Sequence, residues 1–174
     1  LFKFLKLCFQ EEHPLLLSLA QHHSRDLSSM PVLGKGDPMQ VNYPIISADS
    51  HIAEAPNAYV DYIDPKWRHV APHVVETEDR GDVYVIDGMK RTIQMGLIAA
   101  AGQAPEDLNP QAKWDELPRS GWDSDYRLKD QDKDGVSAEV IYPSVGMVLC
   151  NHPDADYKKA SMDAYNRWIS DYCS

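Results

Sequence analysis

Two apolar runs, Tyr43-Pro44-Ile45-Ile46-Ser47-Ala48 and Ala138-Glu139-Val140-Ile141-Tyr142-Pro143, have the length and β-branched content of core strands. Between them, Val74-Val75-Glu76-Thr77-Glu78 and Val83-Tyr84-Val85-Ile86 flank Asp79-Arg80-Gly81-Asp82, which predicts a hairpin. Asp87-Gly88 then turns the chain into Met89 to Ile93, completing a small antiparallel meander. Residues 55 to 72 read as a proline-punctuated loop with short helical turns, and 94 to 121 as loop broken by Pro105, Pro110 and Pro118. A helix is predicted from Tyr126 to Asp134, ended by Gly135 as a left-handed cap. A longer one is predicted from Pro153 to Cys173, with Tyr157, Tyr165, Trp168, Ile169 and Tyr172 on its apolar face. That aromatic stripe is a packing surface rather than a cofactor box. Strand, helix, strand, helix predicts a right-handed βαβ unit and a parallel sheet.

The first 38 residues do not fit this regularity. They hold Leu15-Leu16-Leu17-Ser18-Leu19-Ala20, a polar stretch through Arg25 and Asp26, and breakers from Pro31 to Pro38. They are read as a disordered leader, with residues 39–174 as the folded domain. His13, His22 and His23 lack acidic or thiol partners at ligand spacing and are read as solvated. Leu1 to Phe9 has the flavour of a signal peptide, but Glu11, Glu12 and His13 interrupt it and no small-residue cleavage site follows. Lys35-Gly36-Asp37 would be encoded by a purine-rich run just ahead of Met39, so translation is expected to begin at Met39.

Composition narrows the function. The 174 residues are 43% hydrophobic and 25% charged, a globular balance. Twenty-seven acids against 17 bases give a net charge of −10, which repels phosphate backbones and anionic lipid, so nucleic-acid and membrane partners are not expected. No apolar run approaches the roughly 18 residues of a membrane span. Cys8, Cys150 and Cys173 are too widely spaced for a CxxC or zinc-finger pattern and are read as reduced thiols of a cytoplasmic protein.

The candidate chemistry begins at Asp49-Ser50-His51, directly after the first strand. Residues two apart on a strand share a face, so Asp49 and His51 converge at its C-terminal end. A carboxylate and an imidazole suit zinc, with manganese or iron as alternatives. Glu54 stands three residues on, as a third ligand or as an acceptor orienting His51. Tyr142, Ser144, Asn151 and His152 follow the second strand toward the same rim, although a solvated loop is the plainer role for His152. Asp130-Gln131-Asp132-Lys133-Asp134-Gly135 copies the first half of an EF-hand loop, but position 12 is Ile141 rather than a bidentate Glu. It is read as a capped helix end, and a calcium-binding module is the weakest alternative. There is no nucleophile elbow, P-loop or dinucleotide fingerprint.

From about Ile46 onward the sequence resembles the amidohydrolase-related family that includes aminocarboxymuconate-semialdehyde decarboxylase. The stretches that carry the resemblance are Ser47 to Pro56, Tyr62-Ile63-Asp64-Pro65-Lys66-Trp67-Arg68, Val85-Ile86-Asp87-Gly88, Arg127 to Val136, Val140 to Gly146, and Ala164 to Ile169. The resemblance implies an α/β fold: the N-terminal part of a metal-dependent hydrolase-type (β/α)8 TIM barrel, with the small antiparallel insertion after the first strand. It implies that Asp49 and His51 are metal ligands, with Glu54 nearby. Where many relatives carry a second His two residues after the first, this chain has Ala53. A complete barrel takes about 250 residues, so the chain is expected to be a fragment lacking the later ligands. The expected activity is hydrolysis of C–N or ester-like bonds, or decarboxylation of a small carboxylated substrate. No acid/base residue is assignable. The alternative is a non-catalytic partial product or binding domain. Two parallel strands with open edges also predict self-association or homo-oligomer formation.

Overall fold

The computed structural model describes residues 6–9 and 44–174. The expectations for His13, His22, His23 and the Met39 start lie outside the described residues. Among the described residues there are six strands: β1 (Lys6–Phe9), β2 (Ile45–Ile52), β3 (His73–Thr77), β4 (Gly81–Val85), β5 (Ile93–Gln94) and β6 (Val136–Pro143). Four α-helices join them: α1 (Met95–Ile98), α2 (Ser124–Asp134), α3 (Val145–Leu149) and α4 (Ala155–Tyr172). Short 3-10 turns at Pro65–Val70, Pro105–Asp107, Trp114–Glu116 and Arg119–Gly121 punctuate the loops.

One sheet has the order β1-β6-β2, with β2 parallel and β1 antiparallel to β6. The parallel pair is the one the two apolar runs predict. Strand β1 falls inside the stretch read as a leader and pairs along β6 from Lys6↔Ile141 to Phe9↔Ala138. The second sheet is the predicted insertion, an antiparallel β3-β4-β5. Its third strand is only Ile93–Gln94, shorter than the Met89–Ile93 expected, because Gly88 at φ 74° holds the chain in a turn. Parallel and antiparallel sheets thus coexist in a mixed α/β fold, and no barrel closes among the described residues.

The helices start and stop on recognisable chemistry. Asp123 caps α2 by accepting the N–H groups of Asp125 and Tyr126, and Asp154 caps α4 through Asp156 and Tyr157. Gly135, at φ 70°, ends α2 as predicted. Helix α4 presses Tyr157, Met162, Ala164, Tyr165, Trp168 and Ile169 into the core, each fully buried large side chain contributing about 1.5–3 kcal/mol. Opposite them lie Ile52 and Ile141 from the parallel sheet, and Tyr59 and Tyr84, whose rings meet edge to face at 5.9 Å. The Tyr84 hydroxyl donates to Ala55 O at 2.6 Å, fastening the insertion sheet to the chain just beyond β2.

Cys150 is a free, exposed thiol, whereas Cys173 at the end of α4 is disulfide-bonded. The reading of three reduced thiols is corrected accordingly. No helix among the described residues is long and apolar enough to cross a membrane.

Candidate functional site

Strand β2 runs through the Asp49-Ser50-His51 tripeptide rather than ending before it. Its register against β6 slips on the way: Ser47 pairs with Glu139 and Ser50 with Ile141, so three steps on β2 match two on β6. This is a β-bulge, and it re-aims every side chain that follows. Ser47 and Ser50, three apart, meet at 2.7 Å on one face. Asp49 and His51 take the opposite face, beside Tyr142, whose ring lies 6.1 Å from the imidazole.

Asp49 Oδ1 and His51 Nε2 are 3.6 Å apart, too long for a hydrogen bond. Zinc takes N and O ligands at about 2.0–2.2 Å, so two of them on a tetrahedron stand roughly 3.4 Å apart. The pair therefore fits two adjacent ligand positions around one ion. Both side chains remain accessible, Asp49 at 83% and His51 at 40%, so their mutual attraction contributes little to stability. Among the described residues no group of three or more His, Cys, Asp or Glu side chains is placed to hold a metal ion.

Glu54 is placed elsewhere. It is fully buried, and Oε2 accepts the N–H groups of Ser144 and Val145 at 3.2 and 3.1 Å. Oε1 accepts Gly146 N–H at 3.0 Å and the Tyr59 hydroxyl at 3.2 Å. Burial pushes this carboxyl above its ordinary range, against the lowering pull of the Val145 and Gly146 amides and the Tyr59 hydroxyl. Burial and the Glu54 charge in turn hold the Tyr59 phenol well above its usual value. The carboxylate clamps the exit of β2 to the first turn of α3, fixing the two strand ends relative to one another.

Those strand ends wall a cleft of about 700 Å³. His51, Ser144, Met147 and Val148 line one side, and Arg80, Lys90, Arg91 and Thr92 of the insertion sheet line the other, with Leu97 and Ile98 of α1. Leu97 and Met147 are 58% and 51% exposed, an uncommon concentration of bare apolar surface at a polar rim. Arg80 is oriented by a 2.6 Å bond from Nη1 to Thr92 Oγ1. A second hollow of about 480 Å³ touches His51 and Ser50 on the other side, bounded by Arg127, Gln131 and Glu139. There Arg127 Nε, Gln131 Nε2 and Ser50 Oγ all donate to Glu139, at 2.5, 2.8 and 3.1 Å. Burial raises the Glu139 carboxyl, but the Arg127 bond and charge outweigh it and leave the group below its ordinary range.

Of the other residues expected at this rim, Ser144 lines the large cleft, and Tyr142 stands beside His51. Asn151 is exposed at the end of α3. His152, read as a solvated loop residue, is 6% exposed, which corrects that reading. Asp130, Asp132 and Asp134 belong to α2, not to a calcium loop. The basic wall of Arg80, Lys90 and Arg91 was not anticipated. Its signal is Lys90-Arg91 immediately after a turn, in a chain where acids outnumber bases by ten.

No protein-family model matches this sequence, and no curated protein matches it. Among solved structures, the chain is similar to an amidohydrolase from Mycobacterium avium subsp. paratuberculosis, with a TM-score of 0.52 and 18% sequence identity. The match covers 76% of this chain and 39% of that one, so this chain spans well under half the length of its structural neighbour. The likeness is one of fold alone: a partial amidohydrolase-like α/β framework.

Proposed function

We propose that this chain forms the N-terminal part of a metal-dependent amidohydrolase-type enzyme acting on a small carboxylated substrate. The observation that carries the reading is the Asp49–His51 pair, spaced for a shared ion, whose His51 lines a basic cleft. Asp49 and His51 would hold a divalent ion, zinc by their donor set, with Glu54 positioning the strand ends rather than ligating. Such an ion supplies Lewis acidity toward a carbonyl or carboxylate oxygen and activates water, the chemistry shared by hydrolysis and decarboxylation.

The chain's own residues account for recognition. Arg80, Lys90 and Arg91 set a local positive potential inside a protein of net charge −10, which draws in and orients an anionic end. Leu97, Ile98 and Met147 offer an apolar wall to the rest of the ligand. The test is benzoate binding by calorimetry. Wild type is expected to bind it, and Arg91→Ala to weaken it about tenfold, or ~1.4 kcal/mol. Equal affinity in both proteins, or none in wild type, refutes the recognition half of the proposal.

A second reading has its own support. The match covers 39% of the neighbour, and no group of three or more metal-ligand side chains comes together among the described residues. On that reading it is a binding domain without turnover. It predicts metal or carboxylate binding with no product formed from any carboxylated substrate.

A further inference from the structure

The Lys90–Arg91 part of the cleft's basic wall sits on a loop anchored at its start by the buried Ile86 and at its end by the Arg80–Thr92 bond. Ile86 to Thr92 links β4 to β5, and within it Lys90 and Arg91 are exposed and Met89 is half-buried. Its internal fastening includes the Met89 N–H to Ile86 O bond at 3.1 Å. Across from it stands His152, buried in the short link between α3 and α4.

Every feature of that histidine faces the loop or locks its own ring. The backbone N–H of Asp154, which can only donate, points at Nδ1 from 3.1 Å. Nδ1 accepts that N–H, the shorter of its two contacts, the other being Asp154 O at 3.3 Å, and Nε2 carries a hydrogen. Nε2 lies 2.8 Å from the carbonyl oxygen of Asp87 and donates to it. The ring packs on Tyr157 with centroids 4.4 Å apart, and the Tyr157 hydroxyl is itself anchored on Val70 O at 2.8 Å. The next loop residue must make room: a Cβ on Gly88 would stand 3.1 Å from Nε2, and φ of +74° disfavours any side chain there. An imidazole held from three sides grips the carbonyl three residues ahead of Lys90.

We propose that His152 is a positioning residue that fixes the Asp87–Thr92 loop and so aims Lys90 and Arg91 into the carboxylate-binding cleft. The ligand half of this inference rests on the function proposed above. The positioning half does not.

The experiment has three readouts on the same protein. Limited trypsinolysis reports loop freedom without any ligand, since Lys90 and Arg91 are themselves cleavage sites. His152→Ala is expected to speed cleavage there about tenfold, because a hydrogen bond that ties down a loop is lost with its ring contact. Benzoate affinity is expected to fall about tenfold in His152→Ala, with part of it regained in His152→Gln, whose amide keeps a donor for Asp87. Nitrogen NMR of the wild-type ring is expected to show the Nε2–H tautomer. A folded His152→Ala protein with wild-type cleavage rate and benzoate affinity overturns the proposal. If that variant does not fold, a wild-type imidazole exchanging between tautomers overturns it instead. Wild type that fails to bind benzoate while His152→Ala still loosens the loop removes the proposed function and leaves the positioning role standing.

Discussion

Replacing Glu54 with Gln changes one atom of a buried side chain and tests the clamp between the strand ends. The carboxylate takes four hydrogen bonds, three of them from backbone amides at the start of α3. An amide can keep two: its oxygen serves Ser144 and Val145, and the Tyr59 hydroxyl turns to accept from the new NH₂ group. Gly146 N–H is then left facing a donor. An unsatisfied buried group costs about 1–3 kcal/mol, and the two surviving bonds lose their charge assistance. Relief from burying a charge offsets part of this, so a net loss of about 2–3 kcal/mol is expected. For a domain of this size that lowers Tm by roughly 4–12 °C. The pH dependence adds a second signature. Because the folded carboxyl sits above its unfolded value, the unfolded chain releases its proton first, and stability falls as pH rises from the unfolded toward the folded pKa. Glu54→Gln should abolish that decline. The assay is thermal and urea unfolding across pH 4 to 8 by circular dichroism. A variant within about 0.5 kcal/mol of wild type, the range of an ordinary surface substitution, with the same pH profile would refute the clamp.

Other substitutions probe neighbouring contacts. Gly146→Ala would bring a Cβ to 2.7 and 2.8 Å from two Pro143 carbons, and should cost about 1–3 kcal/mol by urea unfolding. Arg127→Ala strips Glu139 of the partner that holds its carboxyl down, in a pair only 12% and 13% exposed. Wild-type Glu139 contributes stability above its unfolded pKa that is lost as pH falls through its lower folded pKa. With the cation gone, burial dominates and the Glu139 contribution should reverse sign with pH, at a cost of about 2–3 kcal/mol. Unfolding measured on both sides of pH 4.5 reads both effects.

The elements that were legible in the sequence are those whose signal is local. Helix α4 shows its aromatic stripe at helical spacing, α2 shows Gly135 at its end though its Asp123 cap and start at Ser124 were missed, and β3 and β4 flank their own turn. Helix α3 was missed because its five residues are too short for periodicity, and its first turn is secured by Glu54 from 90 residues away. The bulge in β2 is invisible until β6 supplies a register to slip against. The period-two rule brought Asp49 and His51 together, and their side chains do stand 3.6 Å apart, although Asp49 lies within the bulge. Glu54 was drawn to them by proximity in sequence, whereas the buried amides of α3 offered its carboxylate three donors. The basic cleft and the buried His152 depend on how the insertion sheet folds back, which no local pattern encodes.

The central claim is that Asp49 and His51 are built to share a metal ion. Zinc titration of the intact chain by calorimetry tests it most directly, with Asp49→Asn and His51→Ala run alongside at matched folding by circular dichroism. The account predicts one zinc site in the wild type, weaker than a complete four-ligand centre, and its loss in both variants. Zinc binding that survives both substitutions, or no binding by the folded wild type, would contradict it.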